Sequence, residues 1–172
     1  DGELHSGEDL AARLAISRAA VWKQLQSLRD WGIYLQATPG RGYRLGESLD
    51  LLDADTIRNA LPQWAAGRLR NLEVYEELSS TSDHLLAIAE LPVGRFDASL
   101  AEFQSAGRGR RGRRWLAPFA SGLCLSVNWS FRDAPAALSA LSLAAGVAIL
   151  RALRRLNIHG LALKWPNDIV HG

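Results

Sequence analysis

Leu10, Ala11 and Leu14 recur at the spacing of one helical face, and Ser6-Gly-Glu-Asp9 in front of them sets a capping hydroxyl three residues before an acid. After Ala15-Ile16 a second cap, Ser17, opens a segment in which Val21, Leu25 and Leu28 share a face, and Gly32 stands just past its end as a stop signal. Two helices are therefore expected to meet across a tight turn at Ala15. Small Ala11 lets them approach, and Ile16, Val21 and Leu25 are expected to fill the space between them. Ile33 and Leu35, then Thr38-Pro-Gly-Arg-Gly42, then Tyr43 and Leu45 read as a hairpin with Arg41 at its tip.

A polar connection, Leu45 to Asp50, puts a boundary near residue 47, with one module over 1–46 and a second over 47–172. In the second, the pattern predicts a helix from Asp53 to Leu61 ended by Pro62, a strand from Leu72 to Leu78 and a helix from Thr81 to Glu90. A strand from Ala98 to Phe103, a basic loop, a strand from Leu123 to Trp129, a long helix within Ala134 to Leu153 and a strand from Leu161 to Trp165 follow. This irregular alternation predicts an α+β chain whose larger part is a mixed sheet with helices on one face. The end, Lys164 to Gly172, reads as a strand entering a turn with no return strand. With a start at Asp1 and no methionine, a fragment is expected, its first helix and its later strands missing.

Composition adds less than position does. A hydrophobic share of 48% and a charged share of 22% in 172 residues suit a folded globular chain. The net charge of +2 says little about partners, because the basic residues cluster between Arg18 and Arg44 and between Arg108 and Arg114. The longest apolar stretch is broken by Pro135, Ser139, Ser142 and Arg151 and reads as a core helix, so no membrane contact and a cytoplasmic location are expected. Cys124 lies in an apolar run and reads as a buried structural thiol.

The N-terminal pair of helices admits two readings: an ordinary helical pair with solvated charges, or a helix-turn-helix. The hairpin that follows supplies a wing and favours the second. Ser17, Arg18, Ala19, Trp22 and Lys23 then stand on the recognition helix. Arg41 joins them from the wing; Lys23, Arg29, Arg41 and Arg44 are expected to meet phosphates of duplex DNA and Arg18 or Trp22 to lie near bases.

Residues 104–115, Gln-Ser-Ala-Gly-Arg-Gly-Arg-Arg-Gly-Arg-Arg-Trp, hold five arginines in the seven positions 108–114. Glycines at 107, 109 and 112 fit the GxGxxG spacing, but no apolar helix starts there, so a dinucleotide fold is rejected; no Walker loop follows either. A solvated loop, a nucleic-acid arm and an arginine clamp on a nucleotide phosphate remain open.

Three motifs in order, Ser79-Ser-Thr-Ser82, Glu102 to Trp115, and Lys164-Trp-Pro-Asn-Asp168, together resemble the biotin protein ligases. With the winged module in front, the chain is similar to the bifunctional type that also represses the biotin operon. The resemblance implies that biotin is activated with ATP and Mg²⁺ to biotinyl-5′-AMP. The biotinyl group then passes to a lysine of a biotin carboxyl carrier protein. It implies that Ser80, Thr81, Ser82 and Gln104 line the biotin pocket and that Gly107, Arg108, Gly109 and Arg110 close over the adenylate. Arg110, holding the reactive phosphate or carboxylate, and Lys164 would be the catalytic residues; Lys164, Asn167 and Asp168 would lie near nucleotide, biotin and metal, and Trp115 near adenine. No protein-borne metal site is expected. Ser82 stands where the family commonly has asparagine. An adenylate-bound homodimer on operator DNA is also implied. A ligand-sensing regulator without ligase activity and a lipoate-type ligase are the alternatives.

Overall fold

Two serine hydroxyls start the helices of the N-terminal module. Ser6 accepts from the Asp9 amide at 2.9 Å and opens α1 (Gly7–Leu14); Ser17 accepts from the Ala20 amide at 3.1 Å and opens α2 (Arg18–Asp30). Each satisfies an amide that the first helical turn leaves without a partner. Ala15 makes the turn between them in the left-handed region, φ 53°. Val21 and Leu25 are buried with Leu35, and Leu10, Ala11, Leu28, Tyr43 and Leu45 pack around them. Ile16, expected in that space, is instead 36% exposed, because the residues packed on Val21 and Leu25 come from α1 and from the hairpin.

The computed structural model describes residues 2–88, 90–132, 140–165 and 168–172, without the side chain of Arg110. They form two compact units, Asp1–Ser130 and Phe131–Gly172.

The expected hairpin is β1 (Leu35–Thr38) paired antiparallel with β2 (Gly42–Leu45). His5 adds a third short edge that the pattern did not signal, exchanging both backbone hydrogen bonds with Tyr43 at 2.8 Å. That approach requires glycine at 42: its φ is +128°, and a Cβ there would lie 2.0 Å from the His5 carbonyl oxygen.

The rest of the first unit comprises α3 (Ala54–Ala60), α4 (Gln63–Ala66), β3 (Leu69–Leu78), α5 (Thr81–Leu86), β4 (Phe96–Gln104) and β5 (Cys124–Trp129). β3 and β4 pair in parallel and β4 and β5 antiparallel, so the sheet is mixed, as expected. The short α4 was not foreseen. α5 ends four residues before the expected Glu90, its last turn tightened by short-range bonds from Ala87 to His84 and from Ile88 to Leu85. On one face, Leu69, Leu72, Ala98 and Leu100 form a core covered by Leu52, Ile57 and Leu61. On the other, cross-strand rows are polar: Asn71, Asp97 and Asn128 in one, Glu73, Ser99 and Ser126 in the next.

An aromatic contact joins the N-terminal module to this sheet. Trp31, which ends α2, stacks on Phe119 at 4.9 Å and 6° and lies 6.2 Å from Phe103. Its carbonyl accepts from the Phe119 amide at 2.8 Å.

In the second unit, α6 (Leu141–Arg155) is followed by β6 (Leu161–Lys164) and β7 (Asp168–His171). The first part of the expected long helix, 133–139, lies outside the described residues. The expectation of an unreturned strand is overturned: β7 pairs antiparallel with β6, Lys164 opposite Asp168. Asp-Ile-Val-His is too short and mixed a run to signal a strand by periodicity.

Asp97 is the most consequential buried charge among the described residues. It is 1% exposed and takes Arg70 Nε at 2.9 Å, Arg70 Nη2 at 2.5 Å and the Asn71 amide at 3.1 Å. A bulge between Leu69 and Asn71 sets Arg70 and Asn71 against this single residue. The Arg70 guanidinium holds the Asp97 carboxyl below its usual value of 3.8. Its stabilisation is therefore complete above that value and lost as pH falls through the lower, folded one. Asp97→Ala leaves the Asn71 amide without its acceptor and is expected to destabilise the protein by about 1–3 kcal/mol at neutral pH, and urea midpoints of Asp97→Asn and wild type should converge as acid protonates the native carboxylate.

Candidate functional site

Ser80 and Thr81 are buried where β3 turns into α5, at 4% and 3% exposure. Ser80 caps the helix, accepting from the Asp83 amide at 3.3 Å. Thr81 gives its amide to Gln104 Oε1 at 2.8 Å and its hydroxyl lies 3.2 Å from the same oxygen. That hydroxyl is also 2.8 Å from Ser126 Oγ on β5. The ends of β3, β4 and β5 are thus tied by one polar knot beside the start of a helix. Past the strands, backbone hydrogen bonds from Ser105 to Leu78 at 2.9 Å and from Ala106 to Ser79 at 2.9 Å deliver the chain into the arginine segment beside the knot.

The arginine segment closes on itself as a hairpin. Gly109 N–H donates to the Arg113 carbonyl at 2.7 Å and Trp115 N–H to the Gly107 carbonyl at 2.8 Å, and the chain reverses with left-handed backbone at Arg111 (φ 60°) and Gly112 (φ 72°). Gly107 sits at its base, where a Cβ would come within 2.9 Å of the Trp115 carbonyl and 3.2 Å of Gln104 Nε2. Arg108, Arg111, Arg113 and Arg114 are exposed, and the Arg108 guanidinium donates to Asp83 Oδ1 on α5. The Arg110 side chain and all of Asn167 lie outside the described residues.

The structure thus brings Ser80, Thr81, Gln104, Gly107 and Arg108 together. Ser82 faces solvent on the first turn of α5, and Trp115 is 57% exposed at the hairpin's foot. In the second unit, Lys164 of β6 and Asp168 of β7 are register partners, both exposed. Among the described residues no three His, Cys, Asp or Glu side chains form a group that could hold a metal ion, and no helix is long and apolar enough to cross a membrane.

Residues that sequence reasoning missed surround the knot. Ser126 occupies an inward position of β5 and could have been found by period-two alternation with Cys124. Glu102, 4% exposed, accepts the Leu52 amide at 2.5 Å and pins the connection that follows the wing. His84 Nε2 bonds Glu73 Oε2 at 2.7 Å and lies 3.4 Å from the Tyr75 hydroxyl, fastening α5 to β3. Burial pushes the Tyr75 hydroxyl above its usual pKa. Burial likewise pushes the Cys124 thiol up, away from nucleophile chemistry.

The wing and α2 border a groove of about 700 Å³ lined by Arg18, Ala19, Trp22, Arg41 and Tyr43. Arg18, Lys23 and Arg41 are exposed, Trp22 is 57% exposed, and Arg44 is held by Gln36 through Nε at 2.7 Å. Ser17 is engaged as the helix cap.

Two families match along the chain. Residues 1–44 match a family described as HTH domain, and residues 76–172 match the biotin/lipoate A/B protein ligase family. The bifunctional ligase/repressor BirA of Salmonella typhimurium is 46% identical over 170 residues, 98% of this chain and 51% of that protein. Its namesake from Escherichia coli is 45% identical over 98% and 50%. The chain therefore spans about half the length of these curated relatives. Among solved structures, a biotin protein ligase from Leishmania major in complex with biotin superposes with a TM-score of 0.50 at 30% identity, covering 59% of this chain and 47% of that one.

The base of the arginine hairpin can be tested directly. Gly107→Ala forces a methyl against backbone and is expected to open the base by roughly 1–3 kcal/mol. Hydrogen exchange of the Trp115 amide should rise about tenfold or more, while amides of β4 keep their protection.

Proposed function

The chain belongs to the biotin/lipoate A/B protein ligase family, and from that premise we propose that the protein activates biotin with ATP and transfers it to a carrier-protein lysine. We propose further that it represses transcription through its N-terminal module. The observation that carries the ligase reading is the knot of Thr81, Gln104 and Ser126 with the arginine hairpin rising directly from its end. Buried, mutually satisfied polar groups suit a small polar ligand held in a fixed orientation, and adjacent guanidinium groups suit the anions that must meet.

In the first step a biotin carboxylate oxygen bonds the α-phosphorus of ATP and the bond to pyrophosphate breaks. In the second the lysine amine attacks the acyl carbon of biotinyl-5′-AMP and AMP departs. Ser80, Thr81 and Gln104 line the biotin side of the site in this reading, with Ser82 at its solvent edge on the first turn of α5. Gly107, Arg108, Gly109 and Arg110 close over the adenylate, with Arg110 on the reacting phosphate or carboxylate. Trp115 packs near adenine, and Lys164, Asn167 and Asp168 serve nucleotide and biotin. Mg²⁺ would arrive with ATP as its counter-ion and would lower the repulsion between the two anions.

Residues 1–46 form the DNA-reading module and 47–172 the ligase portion in this proposal. Arg18, Ala19 and Trp22 face the major groove from the helix that Ser17 caps, and Lys23 and Arg41 meet phosphates. The carrier is a biotin carboxyl carrier protein, the DNA-bound form is an adenylate-loaded homodimer, and the location is cytoplasmic.

Calorimetric titration of biotin, biotinyl-5′-AMP and lipoate into the full-length protein, alongside biotin-dependent pyrophosphate release, tests the ligase half. Biotin-selective binding with pyrophosphate release is expected; ligand binding without release would instead leave a sensor. Gln104→Leu strands the buried Thr81 amide, at about 1–3 kcal/mol, and is expected to weaken biotin binding about tenfold or more. For the DNA half, Arg41→Ala should weaken operator binding and reduce the slope of log K against log salt by about one; an unchanged slope removes Arg41 from the phosphate contacts.

A further inference from the structure

Arg108, the first arginine of the hairpin, is already occupied. Its Nη2 donates to Asp83 Oδ1, an ion pair that ties the hairpin to α5 across 25 residues of chain. Asp83 is itself held firmly: its amide bonds Ser80 Oγ at 3.3 Å and its carbonyl accepts from Ala87 at 3.1 Å. The carboxylate therefore stands in the same helical turn as Ser80 and Thr81. A guanidinium matches a carboxylate or a phosphate through the same planar set of N–H donors. An anionic ligand reaching Arg108 must share or displace what Asp83 already holds.

We propose that Asp83 is an internal competitor for Arg108. It is a positioning residue that fixes the hairpin against α5 in the ligand-free protein and yields the guanidinium to the anionic group of the adenylate. The inference rests on the adenylate-forming reading of this site. Exposure sets its size. Arg108 is 63% and Asp83 41% exposed, so solvent and salt screen the pair, and a ligand anion displaces it at small cost. A deeply buried pair would bar the ligand; an exposed one restrains the hairpin and lets go. The competition is worth roughly two- to fivefold in affinity, well short of orders of magnitude.

The test uses the full-length protein with Asp83→Asn, Arg108→Ala and the double substitution. Tryptic cleavage within residues 110–114, without ligand, reads the restraint independently of what the site binds. Fluorescence-detected binding of biotinyl-5′-AMP at low and high salt reads the competition. Asp83→Asn is expected to be cleaved roughly two- to fivefold faster and to bind the adenylate roughly two- to fivefold tighter at low salt. The difference should fade at high salt and vanish when Arg108 is already alanine. Weaker adenylate binding by Asp83→Asn, or the same gain in the Arg108→Ala background, overturns the competition. If Asp83→Asn speeds cleavage but no variant, and not the wild type, binds the adenylate, the ligase reading falls and the competition with it, while the ion pair stands.

Discussion

The side-chain oxygen of Gln104 meets both the amide and the hydroxyl of Thr81, and the candidate site is arranged around that junction. Thr81 begins α5 and Gln104 ends β4, so one acceptor sets where the helix starts relative to where the arginine hairpin leaves the sheet. Leaving the Thr81 amide buried without it costs more than the bond itself contributes, which is why such a junction holds its geometry. Ser126 extends the constraint to the third strand through the Thr81 hydroxyl. Glycine at 107 lets the hairpin close within reach of Gln104, where any side chain would strike backbone.

The N-terminal module was legible almost residue by residue because its signals are local. Ser6 and Ser17 are caps at short range from their partners, and the glycines of the wing stand where the backbone turns. The mixed sheet was legible in its strands but not in its edges. Arg70 and Asn71 join β3 through a bulge whose reason, the buried Asp97, lies in another strand. The return strand β7 and the short α4 carry too few residues for periodicity to register. Of the residues that meet around the candidate site, Ser80, Thr81, Gln104 and Gly107 are singled out by motifs, whereas Ser126, Glu102 and Asp83 are not. Their roles come from partners 45, 50 and 25 residues away, and no pattern within a single window encodes a partner at that separation.

Trp31 gives the two modules a common part. It ends α2, stacks on Phe119 just beyond the arginine hairpin and lies near Phe103, next to Gln104. Glu102 adds a second tie by holding the Leu52 amide on the connection between modules. Stacked rings of this kind contribute about 0.5–1.5 kcal/mol beyond the area they bury. The base of α2 and the strand that carries Gln104 therefore share a packed boundary rather than a free linker.

The polar rows on the α5 side of the sheet bear on how the chain avoids misassembly. Asn71, Asp97 and Asn128 lie in one cross-strand row, and Glu73, Ser99 and Ser126 in the next, while Leu72, Ala98 and Val127 alternate with them on the opposite face. Sliding one strand by a single residue would turn Asp97 into the leucine core and bring leucines under α5. It would also part the Asp97 carboxylate from Arg70. Aligned polar side chains thus act as a register lock, making mispaired and aggregating forms of this short sheet costly before any ligand is present.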